Sequence, residues 1–178
     1  MQKLLASTLL IGINLALGIL AHATDLKVGD AAPLFKVKTH LDADFDLRSR
    51  KGQWTVLYFY PKADTPGCTK QACAFRDAID NIRKVGADVF GVSADSVANQ
   101  KAFHEKFNLK FTLLADADGA IIKAYGTKMP IITMSHRWTF IVGPDLKIRA
   151  IEKDVDPALD AKKVMAKIEQ LKNETATK

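Results

Sequence analysis

Two cysteines, Cys68 and Cys73, are the residues of this 178-residue chain best suited to covalent chemistry. Thr65 suits the N-cap of a helix and Pro66 its first position, which places Cys68 in the first turn. There the backbone N–H groups lack intrahelical partners, and the helix dipole favours negative charge. A helix N-terminus with a nearby cation lowers the pKa of a thiol from about 8.5 by roughly one to several units. The pattern therefore predicts a nucleophilic sulfur at Cys68.

The spacing of the two cysteines argues against a static disulfide. Residues five apart on an intact helix have Cα atoms about 8.5 Å apart and point about 140° away from each other. A disulfide needs Cα atoms closer than about 7 Å. Cys68 and Cys73 can therefore join only if the start of the helix unwinds, which is typical of a catalytic pair. The alternative is one structural disulfide, the ordinary use of two cysteines in an exported chain.

The segment Pro61-x-x-x-Thr65-x-x-Cys68 resembles the active-site motif of peroxiredoxins. Four residues between Cys68 and Cys73 resemble the bacterioferritin-comigratory or Q-type branch of that family. The resemblance implies that Cys68 attacks the peroxide O–O bond and becomes a sulfenic acid, with which Cys73 condenses to an intramolecular disulfide. It also implies that the Thr65 hydroxyl bonds the reacting atoms, that Pro61 shields the sulfenic acid from water, and that Gly67 takes part in substrate binding.

The sequence Arg137-Trp-Thr-Phe resembles a strand of the same family whose Arg reaches the peroxidatic sulfur. Peroxide reduction builds negative charge on the departing oxygen, and a guanidinium can hold that charge because its own charge is permanent and its donors form a fixed fork. Arg137 is therefore the candidate cation and substrate-binding residue. Arg76 is the lesser candidate. Its expected partners are carboxylates: Asp77, Asp80 or Glu105.

No metal and no other cofactor is expected. His136 lies next to Arg137, but its spacing to His40, His104 and the cysteines is not that of a ligand set, so we interpret it as structural. The acidic run at residues 116–119 ends in Gly and could indicate calcium. The remaining EF-hand ligands are missing, and Asp-Gly is an ordinary turn.

The predicted function is a thiol peroxidase in antioxidant defence that reduces hydrogen peroxide and organic hydroperoxides, with thioredoxin or a thioredoxin-like dithiol protein as its reductant. Two alternatives stay open. An exported disulfide oxidoreductase would normally carry Cys-x-x-Cys. A copper-delivery protein of thioredoxin fold would carry Cys-x-x-x-Cys and a downstream His, whereas this chain has one residue more between its cysteines.

Residues 1–23 have the pattern of a cleavable secretory signal. Lys3 supplies a short basic region, residues 4–20 are uncharged and mostly apolar, and Ala21, His22 and Ala23 form a small-x-small cleavage site. We expect cleavage after Ala23 and a mature chain, residues 24–178, that is exported to a bacterial periplasm without membrane attachment. An uncleaved anchor is the alternative, because an apolar stretch of about 17 residues is near the lower limit for spanning a bilayer.

The basic composition does not by itself indicate a nucleic-acid partner. The formal net charge is +6, and it becomes +5 when Lys3 leaves with the signal. Such a surface could bind nucleic acid, an anionic membrane or an acidic protein. The lysines of the last helix are interrupted by apolar positions, and no stripe of Arg and aromatic residues accompanies them, so nucleic-acid binding is not expected. These lysines are Lys162, Lys163, Lys167 and Lys172.

The elements that position the cysteines begin with residues 56–60, which are all apolar or aromatic. Such a run predicts a central strand buried on both faces. The helix that follows is expected to extend to about Val85. Its apolar stripe includes Cys68, while Cys73 points nearly opposite. The other members of the stripe are Ala72, Phe75, Ile79 and Ile82.

The remaining patterns alternate between strand and helix and predict one α/β domain over residues 24–178. In chain order they predict short strands after 35 and at 45–47, a strand at 87–93, a helix from 95 or 96 to 107, a strand at 111–114, a turn at 116–119, a helix at 120–125, a loop at 129–135, a hairpin of 137–142 with 146–151, and a helix after Pro157. In the last helix Leu159, Val164, Ile168 and Leu171 are expected to point inward, and residues 173–178 to fray. This order predicts three layers around a mixed sheet, and the resemblance implies a thioredoxin-like fold. We expect the protein to be a monomer.

Overall fold

The computed structural model describes residues 25–176, so the predicted signal segment lies outside the described part of the chain. Within that part, seven strands form one sheet: β1 (Lys36–Thr39), β2 (Asp44–Asp46), β3 (Trp54–Phe59), β4 (Ala87–Ser93), β5 (Thr112–Ala115), β6 (Thr139–Val142) and β7 (Ile148–Glu152). Four α-helices accompany it: α1 (Pro66–Lys84), α2 (Val97–Lys106), α3 (Ala120–Ala124) and α4 (Asp160–Ala176). The 3₁₀-helix Leu47–Arg50 follows β2.

The sheet is mixed, as predicted. Its strand order is β2-β1-β5-β4-β3-β6-β7. The strands β3, β4 and β5 run parallel, whereas β6 pairs with β3 in the opposite direction and continues into the hairpin with β7. The central position of β3 explains its composition, because each of its six residues is buried.

Successive residues of β3 point to opposite faces and join two different cores. Val56 and Tyr58 pack with residues of α1 and α4, while Leu57 and Phe59 pack with residues of α3 and the N-terminal segment. The sheet therefore lies between two covering layers, and the predicted three-layer arrangement is confirmed.

The helix α1 follows the predicted pattern. Thr65 has the extended backbone of an N-cap (φ −95°, ψ 153°), and Pro66 is the first helical residue. The predicted stripe is buried, from Cys68 through Phe75 to Ile82. Each large apolar side chain of this kind contributes roughly 1.5–3 kcal/mol when it is removed from water. This packing holds the N-terminal turn of α1 against the end of β3.

Two predictions for α4 are wrong. Leu159 was expected to point inward, yet it is 48% exposed and precedes the helix, which begins at Asp160. At 100° per residue Leu159 lies about 160° from Ala161, the first buried apolar residue of that helix, so it falls on the outer side. The end was expected to fray from residue 173, but α4 continues to Ala176. A side-chain hydrogen bond from Gln170 Nε2 to Glu174 Oε1 of 2.8 Å spans this last part.

Shorter elements agree with the predicted patterns within two or three residues. The largest shift is in the hairpin, where β6 begins at Thr139 and β7 spans Ile148–Glu152, so that Arg137 lies just ahead of the strand. Among residues 25–176, none of the helices combines the length and the apolarity needed to cross a bilayer.

Candidate active site

The loop between β3 and α1 is fixed by a buried carboxylate. Ala63 N donates to Asp95 Oδ2 at 2.8 Å, and Asp95 is the second residue after β4. Asp64 takes a positive φ of 59°, which turns the chain into the helix. Because β3 and β4 are parallel, their carboxyl ends meet at one edge of the sheet. The loop that carries the cysteine motif is therefore anchored at that edge.

Cys68 is 1% exposed and lies in the first turn of α1. Arg137 Nη2 donates to Cys68 Sγ at 3.3 Å, and Arg137 Nη1 donates to Gln71 Oε1 at 2.6 Å. The guanidinium thus donates one hydrogen bond to the sulfur and another to a side chain of the helix that carries the sulfur. The cation thus lies against the sulfur in the first turn of α1, where the backbone N–H groups lack intrahelical partners.

Gly67 allows the guanidinium to lie this close. A Cβ atom on Gly67 would stand 3.1 Å from Arg137 Nη2, which is tighter than about nine in ten such contacts. A side chain at this position would require the guanidinium to give way by a few tenths of an ångström. The glycine therefore acts by close approach of the backbone to a charged group.

Thr65 occupies the predicted N-cap position, but its hydroxyl does not cap α1. Thr65 Oγ1 donates to Lys62 O at 3.0 Å instead. A hydroxyl that donates one bond retains lone pairs with which it can accept another. Thr65 can therefore accept a hydrogen bond from a protonated oxygen at the mouth of the site without giving up its own partner.

Pro61 is half-buried at the start of the same loop. It lines a cavity of about 280 Å³ together with Lys62 and with Thr133 and Met134 from the predicted loop. That loop is closed at its base by a bridge between Lys128 and Ser135 and by a bond of 2.8 Å from Met129 N to Met134 O. At its tip Ile131 is 96% exposed.

Cys73 lies on a different side of α1 and is half-buried, and both cysteines are free thiols. Arg76 is one turn further along. Its Nε donates to Asp77 Oδ1 at 2.8 Å and its Nη1 to Phe107 O at 2.9 Å, so the predicted ion pair is confirmed. These bonds turn Arg76 away from Cys68. The structure thus brings Cys68, Gly67 and Arg137 together and keeps Cys73 apart, while the chemical roles of these residues stay predictions.

The histidines lie outside this arrangement. His136 is exposed, with its ring 6.2 Å from that of Trp138. His40 and His104 stack on each other with ring centroids 3.9 Å apart. Among residues 25–176 there is no group of three or more His, Cys, Asp or Glu side chains arranged to hold a metal ion.

Three polar residues behind Arg137 were not predicted. Gln71 Nε2 donates to Asp160 Oδ2 at 2.7 Å, and Thr139 Oγ1 donates to the same oxygen at 2.7 Å. Burial raises the pKa of Asp160 above its usual value, while these two hydrogen bonds act in the opposite direction. A sign was present for Gln71, since it is a polar residue on the apolar stripe of α1, three positions after Cys68.

Comparison with known proteins places these features in a family. The AhpC/TSA family model matches residues 28–151. A putative peroxiredoxin bcp of Coxiella burnetii (strain RSA 493 / Nine Mile phase I) is 46% identical over 101 residues, which cover 57% of this chain and 67% of that protein. The chloroplastic peroxiredoxin Q of Populus jackii is 39% identical over 139 residues, covering 74% of this chain and 65% of that protein. The matched part thus spans about two thirds of the length of these relatives.

Solved structures agree with this placement. Peroxidoxin BcpB of Mycobacterium tuberculosis has a TM-score of 0.77 at 31% identity and covers 82% of this chain and 97% of its own. A mutant of Xylella fastidiosa PrxQ has a TM-score of 0.78 at 27% identity, covering 83% and 98%. The bacterioferritin comigratory protein of Xanthomonas campestris, solved to study its alkyl peroxide reduction activity, has a TM-score of 0.74 at 28% identity, covering 79% and 98%. The predicted thioredoxin-like fold is thereby confirmed.

Proposed function

The chain belongs to the AhpC/TSA family and is a peroxiredoxin of the bacterioferritin-comigratory or Q type, and from that membership we propose that it reduces peroxides through Cys68 and Cys73. The observation that carries this assignment is the contact of 3.3 Å between Arg137 Nη2 and Cys68 Sγ at the start of α1. A sulfur held between a helix N-terminus and a guanidinium is prepared to attack a peroxide oxygen, and the same donors can then hold the oxygen that leaves.

In the first step the Cys68 thiolate attacks one peroxide oxygen and the O–O bond breaks. The sulfur becomes a sulfenic acid, and the other oxygen departs as hydroxide or alkoxide and takes up a proton. Negative charge therefore moves from sulfur to the departing oxygen. Arg137 keeps its charge throughout, the Thr65 hydroxyl and the N–H groups around Gly67 supply further hydrogen bonds, and Pro61 limits access of water to the sulfenic acid.

In the second step the Cys73 thiol attacks the sulfenic sulfur of Cys68. A disulfide forms and water leaves, so that the two electrons taken by the peroxide have come from the two thiols. The residues are about 8.5 Å apart at Cα on an intact helix, which exceeds the reach of a disulfide. The first turns of α1 must therefore open in every cycle.

In the third step a dithiol protein reduces the Cys68–Cys73 disulfide by thiol–disulfide exchange and leaves with a disulfide of its own. A thioredoxin-like protein of the exported compartment fits this task. We place the enzyme in a bacterial periplasm as a monomeric single domain, residues 24–178, released by cleavage after Ala23. The basis for export is the signal pattern of residues 1–23, and the activity fits an antioxidant role in such an oxidising compartment.

The two cysteine variants test the assignment of roles. In stopped-flow experiments on the reduced mature protein, Cys68→Ser should abolish the reaction with hydrogen peroxide and with an alkyl hydroperoxide. Cys73→Ser should still consume about one equivalent and then stall as a sulfenic acid or over-oxidise. Equal loss of the first equivalent in both variants would contradict these roles. Tight stoichiometric Cu(I) binding by both cysteines under anaerobic conditions, without peroxide consumption, would favour copper delivery instead.

A further inference from the structure

We propose that Asp160, the first residue of α4, is a positioning residue for the chemistry at Cys68, because it orients the Gln71 amide that holds Arg137 toward the sulfur. The inference deepens the proposed function and depends on it. A continuous series of hydrogen bonds carries it: Asp160 Oδ2 accepts from Gln71 Nε2 at 2.7 Å, Gln71 Oε1 accepts from Arg137 Nη1 at 2.6 Å, and Arg137 Nη2 donates to Cys68 Sγ at 3.3 Å.

The direction of the Gln71 amide is the critical point. An amide has an oxygen that accepts and a nitrogen that donates, whereas a guanidinium only donates. Gln71 can therefore serve Arg137 only with its oxygen, and its nitrogen then needs an acceptor on the opposite side. Asp160 Oδ2 supplies that acceptor. Without it, the buried Nε2 group of Gln71 would lose its acceptor, and the bond to Arg137 alone would hold the amide in this orientation.

Burial makes this orientation strict. Gln71 is 0% exposed and Asp160 is 1% exposed, so bulk water does not compete for their hydrogen bonds. In such surroundings each hydrogen bond that is made is strong, and a buried donor that loses its acceptor is costly. Thr139 Oγ1 also donates to Asp160 Oδ2 at 2.7 Å and fixes the carboxyl group from β6, two residues after Arg137. The helices α1 and α4 and the strand β6 thus converge on one oxygen atom.

The consequence for catalysis lies in the freedom of Arg137. A free Arg side chain is flexible and can adopt many rotamers. The bond to Gln71 restricts that freedom and leaves Nη2 directed at the sulfur. During the attack the guanidinium must hold the departing oxygen, and a donor that is already in place needs no reorganisation. Loss of Asp160 would leave the positive charge of Arg137 near Cys68, but the Nη2 donor would no longer be held in a fixed orientation.

This role predicts a selective effect on the reaction with peroxide. Reduction of a peroxide by Cys68 needs hydrogen-bond donors aimed at the departing oxygen. Alkylation of Cys68 by iodoacetamide releases iodide instead, and iodide needs no directed hydrogen bond. Measured in a Cys73→Ser background, Asp160→Leu should lower the second-order rate constant with hydrogen peroxide at least tenfold, and the rate constant with iodoacetamide by less than about threefold. Asp160→Asn retains an acceptor and should stay within about threefold of the parent for both reagents.

Val164→Ala is the matched control, because Val164 is buried one turn further along α4 and has no polar link to Gln71. It should lower the melting temperature and leave both rate constants unchanged.

Thr139→Val removes one hydrogen bond to the Asp160 carboxyl group and keeps the acceptor for Gln71. It should therefore cause a smaller loss of the rate constant with peroxide, with the same selectivity over iodoacetamide. If both rates fall in proportion, or neither falls, in Asp160→Leu, the proposal is overturned. Should Asp160→Leu not fold, the same outcome in Thr139→Val overturns it. Failure of the parent to react with peroxide would instead contradict the proposed function itself.

Discussion

Arg137 donates hydrogen bonds to two partners at once, and this arrangement suits the shape of an arginine side chain. Nη2 reaches Cys68 while Nη1 is held by Gln71, and the two atoms belong to one rigid plane. A lysine presents one strongly hydrated charge on a flexible chain and cannot divide its donors in this way. Gly67 has no side chain, so the guanidinium plane of Arg137 can lie against the first turn of α1.

Substitution of Arg137 should separate charge from geometry. Arg137→Lys retains the charge and loses the fork, and Arg137→Met loses both. Peroxide should oxidise Cys68 more slowly in both variants, and the loss should be larger in Arg137→Met. Removal of one oxyanion donor from an enzyme slows the reaction by about 10²–10³. Stopped-flow oxidation by hydrogen peroxide measures this. The control is Arg76→Met, which removes a cation of α1 that is bound to Asp77 and should oxidise normally. An unchanged rate in Arg137→Met would assign the positive charge to another residue.

Gly67→Ala should change stability and activity in opposite directions. Alanine is favoured over glycine in helices by up to about 1 kcal/mol, so α1 should become more stable. The added Cβ would lie 3.1 Å from Arg137 Nη2, so the guanidinium must shift from the sulfur and the rate with peroxide should fall. Thermal melts and single-turnover oxidation on the same sample test both parts. A variant that is more stable and equally fast would show that this contact has no catalytic role.

At the scale of elements, the sequence patterns predicted those features of strands and helices that depend on residues close together in the chain. The apolar run of β3 and the stripe of α1 are periodic, and Pro66 marks the start of the helix. The stripe also indicated the different environments of Cys68 and Cys73. The use of the Thr65 hydroxyl was not predictable in the same way, because its donation to Lys62 O depends on the path of the loop.

Oxidation should loosen the start of α1. The distance between positions 68 and 73 on an intact helix prevents a disulfide, so its formation must give up local hydrogen bonds, each worth about 1 kcal/mol. Hydrogen exchange should therefore accelerate at residues 66–76 in the disulfide form, while residues 56–60 stay protected. The oxidised protein should also melt at a lower temperature. Equal protection in both redox forms would require a disulfide between subunits, which a non-reducing gel would reveal as a covalent dimer.

At the scale of the whole molecule, the contacts that could not be predicted are those between distant parts of the chain. Gln71 meets Asp160 across 89 positions, and neither residue stands in a motif that names the other. The stacked rings of His40 and His104 similarly join α2 to the end of β1. Periodicity indicates which face of an element is buried, but it does not say which polar residue of another element will lie opposite.

The histidine pair should make the stability of the whole domain depend on pH. Burial lowers the pKa of both His40 and His104, and for His40 the neighbouring ring acts in the same direction, although Glu105 partly opposes this. The folded protein then binds fewer protons than the unfolded chain, so this stabilisation is present above the ordinary pKa of about 6.5 and is lost as pH falls through the lower folded values.

Melting temperatures between pH 7.5 and 5 measure this effect, and each kcal/mol lost lowers the midpoint by about 2–4 °C in a domain of this size. His104→Phe retains a stacked ring without a titrating group and should decline less steeply. The difference between the two proteins isolates the pair from Asp116, whose pKa burial raises to about 6 and whose protonation acts in the opposite direction. Identical slopes would show that the pair does not couple protonation to folding.

The position of Trp138 gives the protein an optical reporter of its own. Its backbone oxygen accepts from Phe59 N at 2.7 Å, its ring lies under Lys153 Nζ at 4.4 Å, and it adjoins Arg137 in the chain. The other tryptophan, Trp54, stands at the opposite end of β3, about 17 Å away at 3.3 Å per residue. Fluorescence of Trp138 should therefore change as the Cys68 site opens and closes, whereas fluorescence of Trp54 should stay constant and add only background. In Trp54→Phe, each turnover can thus be followed in real time without any attached dye.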